Sequence, residues 1–293
     1  MDVLVTGSTG GIGRWVVRRL VELGHRVRAL DLKAEPKSND YEYWSGDVRD
    51  MATVRRAASG MEAVVHLAAI PYDMHGQDEQ VLDTNLRGTY NILLASQEAG
   101  VRRVVSFSSI NALGQAEPAH PGLYLPLDDA IPHYNVQNYS LTKHLGEEMC
   151  TAFARRGGLS AVSLRPTLVT NPREERRWWH MLPEEFKLEG HIADFFSYVD
   201  VRDVAEAAAL SLTAHVEGHQ AFLLAANENR VRTPTAEIVE KYYPQLPWPK
   251  ISKAEYLARG ENVGLLDCSA AASVLGWQPK YSRFNPADGY EEE

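Results

Sequence analysis

The chain has 293 residues, 44% of them hydrophobic and 24% charged, which suits a globular protein of one large or two smaller domains. Its net charge of −9 argues against a nucleic-acid binder, whose footprint is a basic face. No apolar run approaches the ~18 residues that span a bilayer, and the two cysteines suit a reducing compartment, so a cytoplasmic chain without a signal peptide is expected.

The apolar run Val3-Leu4-Val5 breaks into Thr6-Gly7-Ser8-Thr9-Gly10-Gly11-Ile12-Gly13, a helix-like segment runs from Arg14 to Leu23, and a second apolar run ends on Asp31. The pattern predicts strand, glycine turn, helix, strand and acid. A strand that feeds straight into a helix must turn tightly, and glycine tolerates the backbone angles this needs. The helix start then offers unpaired N–H groups to a pyrophosphate, and a carboxylate about 20 residues on can grip a ribose hydroxyl. A nucleotide site at Gly7 to Gly13 with Asp31 is the expectation. Asp31 favours NAD over NADP, whose 2′-phosphate it would repel.

Further on, Tyr41 to Trp44 reads as a short strand, and Arg49 to Ser59 as a helix with Asp50 as its N-cap. Ala63 to Ala69 is apolar throughout, as in a parallel sheet covered on both faces. A long helix is predicted over Gln77 to Gly100, then a strand over Val101 to Phe107. A Pro-rich loop occupies 115–137, followed by a helix over Tyr139 to Arg156 and a strand over Leu159 to Leu164. After an irregular stretch, 167–197, come a strand at Phe196 to Asp200, a helix at Val201 to Ala214 and a strand at Ala221 to Ala225. The remainder carries one clear helix, Thr235 to Tyr243, and a short one, Ser269 to Leu275.

This alternation predicts an α/β fold: a Rossmann doubly wound parallel sheet over 1–165 plus 198–226, with a small substrate lobe from 166–197 and 227–293. Gly7, Asp31, Asp47, Ala68 and Ser109 all fall at carboxyl ends of strands, where ligands of open α/β sheets bind.

Tyr139 and Lys143 stand four apart on the predicted helix, so both side chains can project into one site. A nearby ammonium and a bound nicotinamide cation would both favour the phenolate, which can take a proton from a substrate hydroxyl while hydride leaves the same carbon. Ser109 can hydrogen-bond that oxygen. Of the ten histidines only His215 and His219 stand at H-x-x-x-H spacing, and no metal is assigned.

Several motifs carry a family resemblance. They are Thr6-Gly7-x-x-Gly10-x-x-Gly13, Gly46-Asp47-Val48, His66-Leu67-Ala68-Ala69, Asn85-Leu86-x-Gly88-Thr89, Ser108-Ser109, Tyr139-x-x-x-Lys143, Arg165-Pro166 and Tyr198-Val199-Asp200-Val201-x-Asp203. Together they resemble the extended short-chain dehydrogenases/reductases of the NAD-dependent epimerase/dehydratase group, over nearly the whole chain. The resemblance implies Ser109, Tyr139 and Lys143 as the catalytic trio. Ser109 is preferred to Ser108 because it lies five residues before Gly114, as in the family's S-x-x-x-Y-G segment. It also implies a cofactor shell that adds Thr9, Gly11, Ile12, Asp47, Val48, Leu67, Ala68, Ala69, Asn85, Ser108 and Pro166 to the glycines and Asp31, with Tyr139 and Lys143 touching NAD as well. Asp47 would meet the adenine. A homodimer through helices 77–100 and 139–156 is implied.

Departures from the family pattern narrow the substrate. Dehydratases of this group carry Asp-Glu just after the catalytic Ser/Thr, and here Ile110 and Asn111 stand there, so sugar-nucleotide dehydration is unexpected. The family's Tyr-Gly in R-P-x-x-x-Y-G-P-R has become Thr170-Asn171. Asn111 and Arg173 are candidate substrate contacts. Arg173, Arg176 and Arg177 can meet a carboxylate or phosphate, or pair with Glu174 and Glu175; Trp178 and Trp179 can stack on a sugar or pack as a lid; His133 is a further candidate site residue. The expected activity is hydride transfer on a sugar or sugar nucleotide, as an epimerase retaining NAD. The alternatives are a simple sugar or uronate dehydrogenase that releases NADH, and a non-catalytic NAD-sensing relative, which the presence of both Tyr139 and Lys143 disfavours.

Overall fold

The computed structural model describes residues 1–33, 39–73, 76–115, 122–172, 188 and 191–288. Seven parallel strands form one sheet in the order β3-β2-β1-β4-β5-β6-β9, where β1 is Asp2–Thr6, β2 Arg26–Asp31, β3 Glu42–Ser45, β4 Ala63–His66, β5 Arg103–Phe107, β6 Ser160–Pro166 and β9 His219–Leu224. The two remaining strands, β7 (Val169–Thr170) and β8 (Val199–Asp200), pair with each other. The order is that of a Rossmann sheet, extended by β9, and reverses direction between β1 and β4.

The central strands are buried because they are apolar on both faces. Val3, Leu4, Val5, Val64, Val65 and Val105 are fully inaccessible, and Val65 lies in register between Val5 and Val105. One face packs on helix α1 (Gly11–Glu22) and on helix α6 (Val201–Thr213), through Val16, Leu20, Val204 and Ala208. The other packs on α2 (Met51–Ala58), α4 (Gly88–Glu98) and α5 (Asn138–Arg156), through Val54, Ile92 and Phe153. Asp50 caps α2 as expected, accepting from Ala52 N at 3.1 Å. A third apolar cluster joins Ile110, Leu127, Phe195, Leu223, Ile238 and Leu265, so residues from 227 onward pack on the β6–β9 end of the sheet.

Two expectations change. The helix read over Gln77 to Gly100 is α3 (Asp78–Leu82), a π-helical turn (Asp83–Arg87) and α4. The wide turn holds Asn85, whose amide bonds the backbone N and O of Ile70, and π turns of this kind collect at functional sites. The C-terminal part also contains a helix over Lys253–Leu257, between α7 (Thr235–Tyr242) and the last α-helix (Ser269–Leu275). Its signal was present: Ser252 Oγ accepts from Glu255 N at 3.2 Å, the S-x-x-E capping pattern.

Candidate active site

The glycine turn is built by close backbone approach. Gly7 has a φ of +68°, and a Cβ there would lie 2.6 Å from Ala68 N. A Cβ on Gly13 would lie 2.1 Å from Gly7 O. These two glycines therefore seat α1 against β1 and β4, whereas Gly10 and Gly11 are exposed at the cleft. The first turn of α1 has no side-chain cap and no acidic residue, so its N–H groups are offered to an anion. Asp31 closes the turn: its Oδ2 accepts from Thr9 N at 2.9 Å. Its second oxygen faces Lys33 N at 3.3 Å. A glycine cradle, an uncapped helix start and a carboxylate at the strand end fit the pyrophosphate and ribose of a dinucleotide.

The opposite wall comes from the ends of β5 and β6 and the start of α5. Ser109 is extended, and its Oγ accepts from Asn111 N at 3.2 Å, which leaves the hydroxyl proton for another acceptor. The following single 3₁₀ turn, Ile110–Leu113, ends at Gly114, where a Cβ would strike Tyr134 O. Tyr134 N donates to Leu113 O at 2.8 Å, and Asn135 Nδ2 donates to Ala112 O at 2.9 Å. The Ser109 segment is thus stitched to the residues that lead into α5. At the start of α5, Tyr139 N donates to Asp73 Oδ1 at 2.8 Å.

Tyr139 is buried, and burial pushes its phenol up to about 12; a hydrogen bond with Ser109 opposes this and the Asp73 charge adds to it. Lys143 donates from Nζ to Phe107 O at 2.7 Å, with Nζ 5.7 Å from the centre of the Tyr139 ring. Burial pulls its ammonium down to about 8, and the Glu147 carboxylate one turn further along works against that. At neutral pH the bare site therefore holds a neutral phenol beside an ammonium. Added positive charge from a ligand is what would bring the phenol toward ionisation.

These parts meet in one cleft of about 810 Å³. Its lining includes Gly7, Thr9, Gly10, Gly11, Ile12, Gly13, Asp31, Asp47, Val48, Leu67, Ala68 and Ala69 on the turn side, and Ser108, Ser109, Asn111, Tyr139, Lys143 and Pro166 on the other. Hydrogen bonds from Arg49, with Nη2 2.7 Å from Oδ2, hold the Asp47 carboxyl below its usual range. Asn85 departs from expectation. It stands behind the wall, buried, tying Ile70 to the helix through Thr142 Oγ1 at 3.0 Å. His133 also stays out: its Nδ1 lies 2.8 Å from Ala112 O and its ring packs on His144. Arg173, Arg176, Arg177, Trp178 and Trp179 lie outside the described residues.

Sequence reasoning missed Ile70, Gln80, Thr84, Thr167 and Asp194 on the cleft wall, and the capping role of Asp73. Loop residues such as these come into place through tertiary packing and carry no periodic signal. Glu147 did carry one, the four-residue spacing that joins Tyr139 to Lys143.

Comparison with known proteins agrees with this geometry. Residues 3–225 match the model of the NAD dependent epimerase/dehydratase family. Cinnamoyl-CoA reductase 1 of Petunia hybrida is 30% identical over 84% of this chain and 79% of its own. Among solved structures, a short-chain dehydrogenase/reductase superfamily protein from Agrobacterium tumefaciens with bound NAD superposes with a TM-score of 0.71, at 24% identity, over 96% of this chain and 93% of its own. UDP-glucose 4-epimerase of Thermotoga maritima, solved with UDP-glucose, gives 0.70 at 22% identity, over 99% and 96%. The chain belongs to the NAD-dependent epimerase/dehydratase family.

Proposed function

We propose that this enzyme transfers hydride between NAD and a hydroxyl-bearing carbon of a sugar or sugar nucleotide, with Ser109, Tyr139 and Lys143 as its catalytic residues. The observation that carries the reading is the convergence of Tyr139, Lys143 and Ser109 on the cleft that also holds the Gly7–Gly13 turn and Asp31. When bound, NAD supplies the hydride acceptor and, once reduced, the donor. The turn residues and the α1 N-terminus would hold its pyrophosphate, and Asp31 a ribose. As a phenolate, the Tyr139 oxygen would take the substrate hydroxyl proton while hydride leaves the same carbon, and as a phenol it would return that proton in the reverse direction. Lys143 favours the ionised phenol by its charge, and Ser109 donates to the substrate oxygen. Asn111 and Arg173 are assigned to the substrate. In this reading 166–197 and 227–293 form the substrate lobe, and two chains pair through α4 and α5.

The neighbour solved with UDP-glucose supports a sugar nucleotide. A second reading, a dehydrogenase that releases its reduced cofactor at each turn, is supported by the petunia relative, whose name is that of a reductase. Nicotinamide extracted from freshly purified, denatured protein separates the two. Near one NAD per chain marks a retained cofactor, and an empty protein that binds added NAD marks a released one. For either, Tyr139→Phe is expected to lower turnover by about 10²-fold or more with NAD affinity within a few-fold. Turnover that survives the substitution, or a protein that binds no nicotinamide nucleotide, overturns the reading.

A further inference from the structure

Behind the catalytic wall is a cluster of buried charge that the proposed chemistry does not use. Glu147 follows Lys143 by one helical turn, as Lys143 follows Tyr139, so the three side chains leave one face of α5. Glu147 is 4% exposed. Its Oε1 accepts from Ser108 Oγ at 2.6 Å and from Arg165 Nε at 2.9 Å, and its Oε2 accepts from Arg165 Nη2 at 2.7 Å. Arg165 Nη1 reaches Asp129 Oδ1 at 3.1 Å. A buried ion pair of this kind is weak evidence for stability, because apolar side chains of the same volume serve a fold about as well. Where it sits is more informative. Ser108 is bonded directly to Ser109, and Arg165 to Pro166, both on the cleft.

We propose that Glu147 is a positioning residue of the active site: its buried carboxylate keeps Lys143 an ammonium beside Tyr139 and, through Ser108 and Arg165, fixes the ends of β5 and β6 against α5. This rests on the reading of Tyr139 and Lys143 as the proton-handling pair. Burial alone drains charge from Lys143, and Glu147 is the carboxylate whose field opposes it. Burial would also raise Glu147, but Arg165 and then Ser108 outweigh it and hold the carboxyl below its usual range. The other groups in reach do not replace it. Asp129, on the loop before α5, is pushed up to about 7 by burial, so it is partly protonated when Glu147 is not. His219 on β9 and His133 are both pulled down by burial. His66 on β4, facing Lys143, falls to about 3 for the same reason, and the Cys150 thiol rises to about 12. Asp73 accepts from Tyr139 N at the head of α5, and of the described groups compared around Lys143, Glu147 is the one that stays negative through the neutral range.

Competitive acetylation by acetic anhydride, read by peptide mass spectrometry across the alkaline range, gives the titration midpoint of Lys143 in the full chain without a substrate. Glu147→Gln is expected to lower that midpoint by about one pH unit or more. Glu147→Asp, which keeps the charge, is expected to restore most of it, with cooperative melting showing that both are folded. If Glu147→Gln, which leaves Arg165 with Asp129 as its carboxylate partner, unfolds the chain, the double variant Glu147→Met with Arg165→Met removes both charges and should show the same fall. An unchanged midpoint in the folded charge-free variant, or an equal fall in Glu147→Asp, overturns the proposal. Protection of Lys143 by added NAD in the unchanged protein tests the functional reading separately. Its absence would count against the cleft assignment and leave the Glu147 shift measurable.

Discussion

His66 ends β4 with its ring between two hydroxyls: Nδ1 lies 2.7 Å from Thr6 Oγ1, and Nε2 lies 3.2 Å from Thr89 Oγ1. It is buried, and burial, with the Lys143 charge adding to it, pulls its imidazolium down to about 3 from an ordinary 6.5. The sign of the linkage follows. Between those values the unfolded chain binds a proton that the folded chain refuses, so stability is full above about pH 6.5 and is lost as pH falls through that window. The loss amounts to at most about 1.4 kcal/mol per pH unit for one proton. His66→Gln, which keeps a polar side chain between the two threonines, should therefore be less stable at pH 7 and should lose less stability on going to pH 5. Urea unfolding of the two proteins at several pH values checks this. His25, His133 and His219 are pulled down too, and the difference between the proteins isolates His66 from them. Parallel pH profiles would mean that His66 titrates normally in the folded state.

The strand–turn–helix unit from Asp2 to Glu22 assigns different work to its glycines. A methyl on Gly13 meets the Gly7 carbonyl at 2.1 Å, a backbone atom that cannot swing aside. A methyl on Gly10 approaches the same oxygen only to 3.2 Å, and Gly10 is exposed on the cleft. Gly13→Ala is accordingly expected to cost about 2 kcal/mol or more of stability through overpacking. Gly10→Ala should melt within a few degrees of the unchanged protein and yet weaken NAD binding about tenfold, since its methyl stands where phosphate approaches. Thermal melting with titration of NAD separates them, and equal losses of stability would contradict the division. This unit was legible in the sequence because its parts lie within 31 residues and each has a local physical cause. So was Tyr139 with Lys143, a one-turn spacing within one helix. The π turn at Asp83–Arg87 was not legible, since it follows from Asn85 reaching Ile70 across a loop. Asp73 at the head of α5 escaped for the same reason: its partner lies 66 residues away.

At the scale of the whole molecule, one motif that ties the C-terminal segment to the Rossmann part centres on Asp203. The Asp203 carboxylate on α6 accepts from Lys280 N at 3.0 Å and Tyr281 N at 3.1 Å, while its carbonyl accepts from Trp277 Nε1 at 2.8 Å. The sequence showed Asp203 in the motif Tyr198-Val199-Asp200-Val201-x-Asp203 that carries the family resemblance, but its partners lie more than 70 residues away and only the folded chain reveals them. Trp277 is buried by this arrangement, whereas large apolar side chains stay exposed on α4 and α5: Tyr90 at 42%, Leu141 at 36% and Leu145 at 36%. Leu141 and Leu145 are one turn apart on α5, which packs alongside α4. Two such helices offer a self-complementary face to a two-fold partner, where each leucine of one chain can meet its counterpart. Light scattering is therefore expected to give twice the chain mass of 32.7 kDa. Leu141→Asp with Leu145→Asp would place four carboxylates at that interface and should yield a monomer that melts cooperatively and still binds NAD, because neither leucine lines the cleft. A monomer in the unchanged protein, or a dimer that survives both substitutions, would move the pairing surface away from α5.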